Sequence, residues 1–298
     1  MSERQNNGIT AVQSRDTILA RVVKNRSASV IGLRVVIAIV LAILAWNPGQ
    51  GNAGEITIAA AADLTFAFKD LTAQFQQQTG NSVKLSYGSS GNFFSQIQSG
   101  APYDLFFSAD VDYPKKLEAA GLTEAGTLYE YATGKLVLWV PTASTLDLKR
   151  GLAVLTDASI RKIAIANPQH APYGRAAVAA MQHAGIYDQV KTKLVLGENI
   201  SQAAQFVESG NADIGVLALS LAVAPAMKEK GRYVEVPAED YPAIIQAAVI
   251  LKSSHDKETA QAFLKFIKAP ASLALMSQYG FTVPNQVAGA QNHESAPN

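Results

Sequence analysis

The sequence predicts an α/β protein in which mostly parallel sheets are covered by helices. Three observations lead there. The chain has 298 residues, which at roughly 150 residues per domain suggests two domains. Its apolar content of 48% is ordinary for a globular chain with a sizeable core. From residue 55 onward, short apolar runs alternate with stretches of helical spacing, the pattern of repeated βα units.

The elements follow in order. Glu55–Ala60 reads as a strand. Thr65–Gln78 has Phe68, Leu71 and Phe75 at helical spacing and ends at Gly80, a usual helix stop. Ser82–Tyr87 is a strand, Asn92–Ser99 a helix and Leu105–Ser108 a short buried strand. Tyr113–Ala120 is a helix stopped by Gly121, and Lys135–Val140 a strand closed by Pro141. Lys162–Ala166, Lys193–Leu196, Ile214–Leu217 and Ala243–Leu251 are further strands. Arg175–Ala184, Gln202–Ser209, Lys257–Ile267 and Ser272–Tyr279 are helices, and the tail from Asn285 is polar and loose.

Residues 1–53 stand apart. Arg21, Lys24, Arg26 and Arg34 precede an unbroken apolar run of 12 residues, Val35–Trp46. A membrane-spanning helix needs about 20. The small residues Gly51 and Ala53 follow, as signal peptidase requires. The segment is expected to be a cleaved secretory signal, with an uncleaved anchor as the alternative, and the mature chain is expected to begin at or near Gly54. The segment holds six of the 25 basic and two of the 24 acidic residues, so the remainder carries a net charge of −3. Without a cysteine to carry lipid, the product is expected to be soluble in a Gram-negative periplasm.

Composition also excludes chemistry. Cysteine is absent, which removes disulfides, thiolate metal sites and a Cys nucleophile. A formal charge of +1 argues against a broad nucleic-acid surface. No nucleophile elbow, P-loop or dinucleotide glycine motif is present. Of the four histidines, His170 sits in a Pro-flanked loop and is expected to be exposed. What the sequence does offer is four turns rich in small and polar residues, each just before a helix: Ala59–Asp63, Gly88–Asn92, Ala171–Gly174 and Glu198–Ser201. Helix N-termini expose unpaired N–H groups and partial positive charge, so several that converge form an anion site. Singly, Asp63 and Ser201 read as N-caps. Two turns in each half of the chain point together to a ligand in a cleft between halves.

From Glu55 to about Pro284 the chain resembles the periplasmic molybdate-binding proteins of ABC transporters. The resemblance rests on Ile58–Leu64 (IAAAADL), Tyr87–Gly91 (YGSSG), Gly100–Asp110 (GAPYDLFFSAD), Asn167–Gly174 (NPQHAPYG) and Tyr279–Thr282 (YGFT). It implies the two-lobed type II binding-protein fold, with the ligand cleft between lobes and crossovers near Lys135–Val140 and Ala243–Leu251. The lobes would be residues 54–134, 135–248 and a return segment 249–284, with 285–298 as tail. The implied oxyanion ligands are Asp63, Ser90, Tyr173 and Ile200, with Ala62, Ser89 and Ala218 as further candidates. The resemblance implies no catalysis, no cofactor and no direct bond from protein to molybdenum. It implies molybdate or tungstate as cargo, an inner-membrane permease as partner, and action as a monomer.

Two positions depart from the family pattern. Ala218 lacks the tyrosine hydroxyl that many members offer there, and Tyr173 is the candidate to replace it. Asp63 is a carboxylate where a donor is usual, and it would repel a dianion. Either its carboxylate caps the first helix and points away, the preferred reading, or the ligand carries a proton that Asp63 accepts. Sulfate, thiosulfate or phosphate is the alternative cargo. An exported enzyme using Asp63 with His170 is the alternative class.

Overall fold

The computed structural model describes residues 53–284. Apart from Ala53, the expected export signal lies outside the described residues, as does the tail 285–298.

Two five-stranded sheets carry the fold. The first has the order β2-β1-β3-β10-β4, formed by β1 (Glu55–Ala61), β2 (Ser82–Gly88), β3 (Leu105–Ser108), β4 (Tyr129–Gly134) and β10 (Ile244–Ile250). The second has the order β7-β6-β8-β5-β9, formed by β5 (Leu136–Pro141), β6 (Ile163–Ala166), β7 (Leu194–Gly197), β8 (Ile214–Ala218) and β9 (Gly231–Glu235). In each, three strands are parallel: β2, β1 and β3 in the first, β7, β6 and β8 in the second. The two remaining strands of each sheet join antiparallel on the side where the chain crosses between sheets. The parallel core is the part that the βα rhythm encodes, and the antiparallel strands make both sheets mixed.

Helices cover these sheets because apolar residues recur on one face. In α1 (Thr65–Thr79), Phe68, Leu71 and Phe75 are buried, and the helix ends at Gly80, whose φ of +75° lets its N–H reach back to the Gln76 carbonyl. Phe68 meets Phe107 of β3 edge-on at 4.8 Å. Phe75 meets Phe263 at 5.1 Å on α6 (Lys257–Ile267), one of two returning helices, the other being α7 (Pro270–Gln278). Each such aromatic pair contributes roughly 0.5–1.5 kcal/mol beyond area burial. The remaining long helices are α2 (Ser90–Gln98), α3 (Asp112–Ala119), α4 (Pro172–His183) and α5 (Ile200–Glu208).

The chain crosses between sheets twice. Only Lys135 separates β4 from β5, and the return runs through residues 236–243 to β10. A boundary at residue 248 would divide β10. Instead Ile244–Ile250 pairs wholly with β3 and β4, so the return to the first sheet begins at 244. The apolar run looks the same whichever sheet buries it, so it hides the crossing point. Strands β4 and β9 were absent from the sequence reading for a related reason: β9 is a half-exposed edge strand without an apolar run, and Tyr129–Gly134 mixes Glu, Thr and Gly with its tyrosines.

Candidate functional site

The turns that follow β1, β2, β6 and β7 meet at one pocket. Ala62, Asp63, Ser89, Ser90, Tyr173 and Ile200 all line it. This is the crevice outside the carboxyl ends of parallel strands, where open α/β sheets bind ligands. The sequence reading started three of its helices two or three residues late. Ser90, Tyr173 and Ile200 lie inside the first turns of α2, α4 and α5, not in the loops before them. The first N–H groups of a helix have no intrahelical acceptor. Among the described residues, the N–H groups of Ser90, Tyr173 and Ile200 have no backbone acceptor.

Local chemistry keeps these donors available. The Asn199 side chain caps α5 by accepting the Gln202 N–H at 3.1 Å, which leaves the Ile200 N–H unused. The Ser201 hydroxyl, read as a cap, instead donates to the Ala62 carbonyl at 2.8 Å across the cleft. The Ser90 hydroxyl oxygen accepts the Ala109 N–H at 2.9 Å, so its own proton is free to donate elsewhere. Gly174 packs α4 tightly on β6, since a Cβ there would fall 2.1 Å from the Ala166 carbonyl oxygen. Among the described residues no Lys or Arg lines the pocket, whose wall combines neutral donors and helix starts with the single carboxyl of Asp63.

Asp63 does not cap a helix. Neither the turn 62–64 nor α1 has a side-chain cap. Its Oδ2 accepts from the Tyr173 hydroxyl at 3.0 Å and from the Gln246 amide nitrogen at 2.6 Å. Tyr131 donates to the other end of that amide, Gln246 Oε1, at 2.7 Å, and Ser220 donates to the Asp63 carbonyl at 2.8 Å. Asp63 Oδ1 is buried without a hydrogen-bond partner. Burial lifts the carboxyl from its ordinary 3.8 to about 6, against the lowering pull of the Gln246 and Tyr173 hydrogen bonds. Burial and the Asp63 charge together hold the Tyr173 phenol well above its usual range.

This network corrects a further expectation. The Tyr173 hydroxyl spends its proton on Asp63, so it does not replace a hydroxyl missing at Ala218. Ala218 itself is buried at the end of β8, opposite Leu136, and does not line the pocket. Gln246, Tyr131 and Ser220 belong to no motif that the sequence singles out. Gln246 alone left a local trace, as the one polar residue in the apolar run Ile244–Ile250.

Groups carried by the two sheets also touch across the cleft, each contact joining a helix start or turn to a turn. The Gly91 N–H donates to the His170 carbonyl at 2.9 Å, and His170 Nδ1 lies 2.9 Å from the Ser89 hydroxyl. Asn92 bonds Glu198, and Arg175 pairs with Asp110. His170 is therefore a cross-cleft contact with a side chain only 19% exposed, not a solvated loop residue. Its partners are Ser89 and Glu198, while those of Asp63 are Tyr173 and Gln246, so the two do not form an acid–base pair.

The family model of bacterial extracellular solute-binding proteins matches residues 56–282. The chain is 41% identical over 248 residues to the molybdate-binding protein ModA of Azotobacter vinelandii, covering 83% of this chain and 96% of that protein. It is 41% identical over 229 residues to ModA of Rhodobacter capsulatus, covering 77% and 88%. The solved periplasmic molybdate-binding protein of Azotobacter vinelandii has a TM-score of 0.73 at 37% identity, over 77% of this chain and 99% of that one. The family match takes in both sheets and every turn of the pocket. The chain belongs to the bacterial extracellular solute-binding proteins.

Proposed function

We propose that this protein takes molybdate into the pocket between its two sheets and hands it, without catalysis, to an ABC permease of the inner membrane. The observation that carries the reading is the donor set: the helix-start N–H groups of Ser90, Tyr173 and Ile200 and the Ser90 hydroxyl, with no cationic side chain among them. A tetrahedral dianion only accepts hydrogen bonds, and helix starts supply donors with partial positive charge. The molybdate-binding relatives support the cargo. The donors would face the oxyanion's oxygens and leave the metal uncoordinated by protein. Tungstate shares the size and charge of molybdate and is the second cargo proposed. Export by the segment before Gly54 and periplasmic action as a monomer complete the reading.

Rigid donors also select by size. The smaller sulfate leaves hydrogen bonds stretched, and each unmade bond to a buried charge costs about 1.5–3 kcal/mol. Another oxyanion is the second reading, favoured by one observation: Asp63 in the pocket wall suits a ligand that brings a proton, such as phosphate. Thermal melts test both. Molybdate at 100 times its dissociation constant stabilises the fold by about 2.7 kcal/mol. The melting temperature is expected to rise with molybdate and tungstate and barely move with equal sulfate or phosphate. A larger rise with phosphate selects the second reading, and no rise with any of the four removes both.

A further inference from the structure

We infer that Asp63 enters the bound complex as a neutral carboxylic acid, so that capture of a dianion draws one proton from solvent and turns this carboxyl into a hydrogen-bond donor of the site. The inference rests on the reading of the pocket as an oxyanion site and adds to it the group that answers for the missing donor.

Geometry carries it. Asp63 lines the pocket and is 1% exposed, so water does not screen it. Its Oδ2 already accepts two donors, from Tyr173 and Gln246, while Oδ1 is buried with none. Among the described residues no cation bonds the carboxyl. Tyr173 reaches the carboxyl from α4, and Tyr131 stands behind Gln246 from β4. Tyr241, ahead of β10, bonds the Leu136 N–H. From β2, the Tyr87 hydroxyl goes to the Thr65 carbonyl, and the Ser220 hydroxyl goes to the Asp63 carbonyl. All are neutral groups. At the rim, His170 bonds Ser89 and faces Glu198, and Arg175 is taken by Asp110.

A dianion placed against an unbalanced, unscreened carboxylate is repelled. One proton removes that repulsion. Added to Oδ1, it converts an unpartnered acceptor into an O–H donor and leaves the bonds to Oδ2 in place. The balance is simple: carboxylate, solvent proton and dianion become carboxylic acid hydrogen-bonded to the dianion. No bond in the anion is made or broken. Burial has already brought the carboxyl to about 6, and a neighbouring dianion raises it further.

Titration calorimetry with sodium molybdate at pH 6, 7 and 8, each in two buffers of different ionisation enthalpy, counts the protons. The parent is expected to take up close to one proton per anion at pH 8 and a fraction of one at pH 6. Its affinity is expected to fall by up to tenfold between pH 7 and 8. Asp63→Asn carries a permanent amide donor, so it is expected to take up none, to bind with flat affinity, and to bind more tightly than the parent at pH 8. His170→Gln is expected to keep the parent's uptake, which separates the rim imidazole from Asp63. Molybdate binding by the parent with no uptake overturns the inference and leaves the cargo reading intact, as does uptake that survives in Asp63→Asn or vanishes in His170→Gln. Uptake with sodium sulfate, a dianion across this pH range, but no molybdate binding at any pH, overturns the cargo and leaves the role of Asp63. No binding of any of these anions removes both. If Asp63→Asn fails to fold, the parent and His170→Gln still decide.

Discussion

Asp63 sets a cost on the anion-free protein that grows with pH. A carboxyl held at about 6 in the fold, against 3.8 ordinarily, binds more protons folded than unfolded between those values. Stability therefore falls as pH rises through that window, and above it the full cost, roughly 3 kcal/mol, is present. Asp63→Asn removes the ionisation. Urea denaturation without anion is expected to find the variant more stable than the parent at pH 7.5 by up to that amount, with the difference gone near pH 4. A parent whose stability does not fall between pH 4 and 7 would contradict the burial argument. The same residue shows what a sequence conveys at this scale. The family resemblance marked it as a site residue, while its place before a helix read by itself as an N-cap, and its orientation depended on Tyr173, Gln246 and Tyr131. These lie 68 to 183 positions away along the chain, and no local pattern announces partners at that separation.

Among the elements, long helices and the parallel strands were legible because burial repeats along them, while β4, β9 and the starts of α2, α4 and α5 were not. Helix starts matter most here. Ser90, Pro172 and Ile200 open their helices with residues of modest or poor helix propensity, so propensity places the start too late. The donors of the pocket sit in those misplaced turns. Strand β4 ends at Gly134, immediately before the crossover residue Lys135, and there is no room there for a side chain. A Cβ at Gly134 would lie 2.1 Å from the Tyr173 hydroxyl and 2.8 Å from Gln246 Nε2. Gly134→Ala is therefore expected to push Tyr173 off Asp63, with a loss of about 1–3 kcal/mol as in other overpacked sites. Urea denaturation at pH 7 measures it, and far-UV circular dichroism should stay at the parent's value. An unchanged midpoint would mean that the crossover shifts to admit the methyl group, and that the network is looser than its distances indicate.

For the whole molecule, the proposed function depends on two sheet-centred lobes meeting over the pocket, and the two chain crossings that join them suit hinge closure. The boundary expected at 134/135 falls beside Lys135, the residue between β4 and β5, but the second crossing was not placed to the residue, because β10 is apolar wherever it pairs. Gly91 tests closure separately from folding. It lies in the first turn of α2, and its N–H bonds the His170 carbonyl on the opposite lobe. A Cβ there would fall 2.6 Å from that carbonyl oxygen and 2.7 Å from the Tyr113 hydroxyl. The first contact is backbone, which cannot swing aside as a flexible side chain would. Alanine inside a helix is favoured over glycine by up to about 1 kcal/mol, so Gly91→Ala should not weaken α2. It should hold the lobes apart while leaving the Ser90, Tyr173 and Ile200 donors on their own elements. Each 1.4 kcal/mol taken from the closed form weakens binding tenfold, so molybdate affinity is expected to fall on the order of 10- to 100-fold. Small-angle scattering supplies the second readout: with saturating molybdate the parent should contract, and Gly91→Ala should contract less at the same saturation. A variant that melts at the parent's temperature without anion yet binds weakly and stays extended identifies closure as a source of affinity. A variant that binds and contracts like the parent would show that the cleft edge admits the methyl group and that this contact does not limit closure.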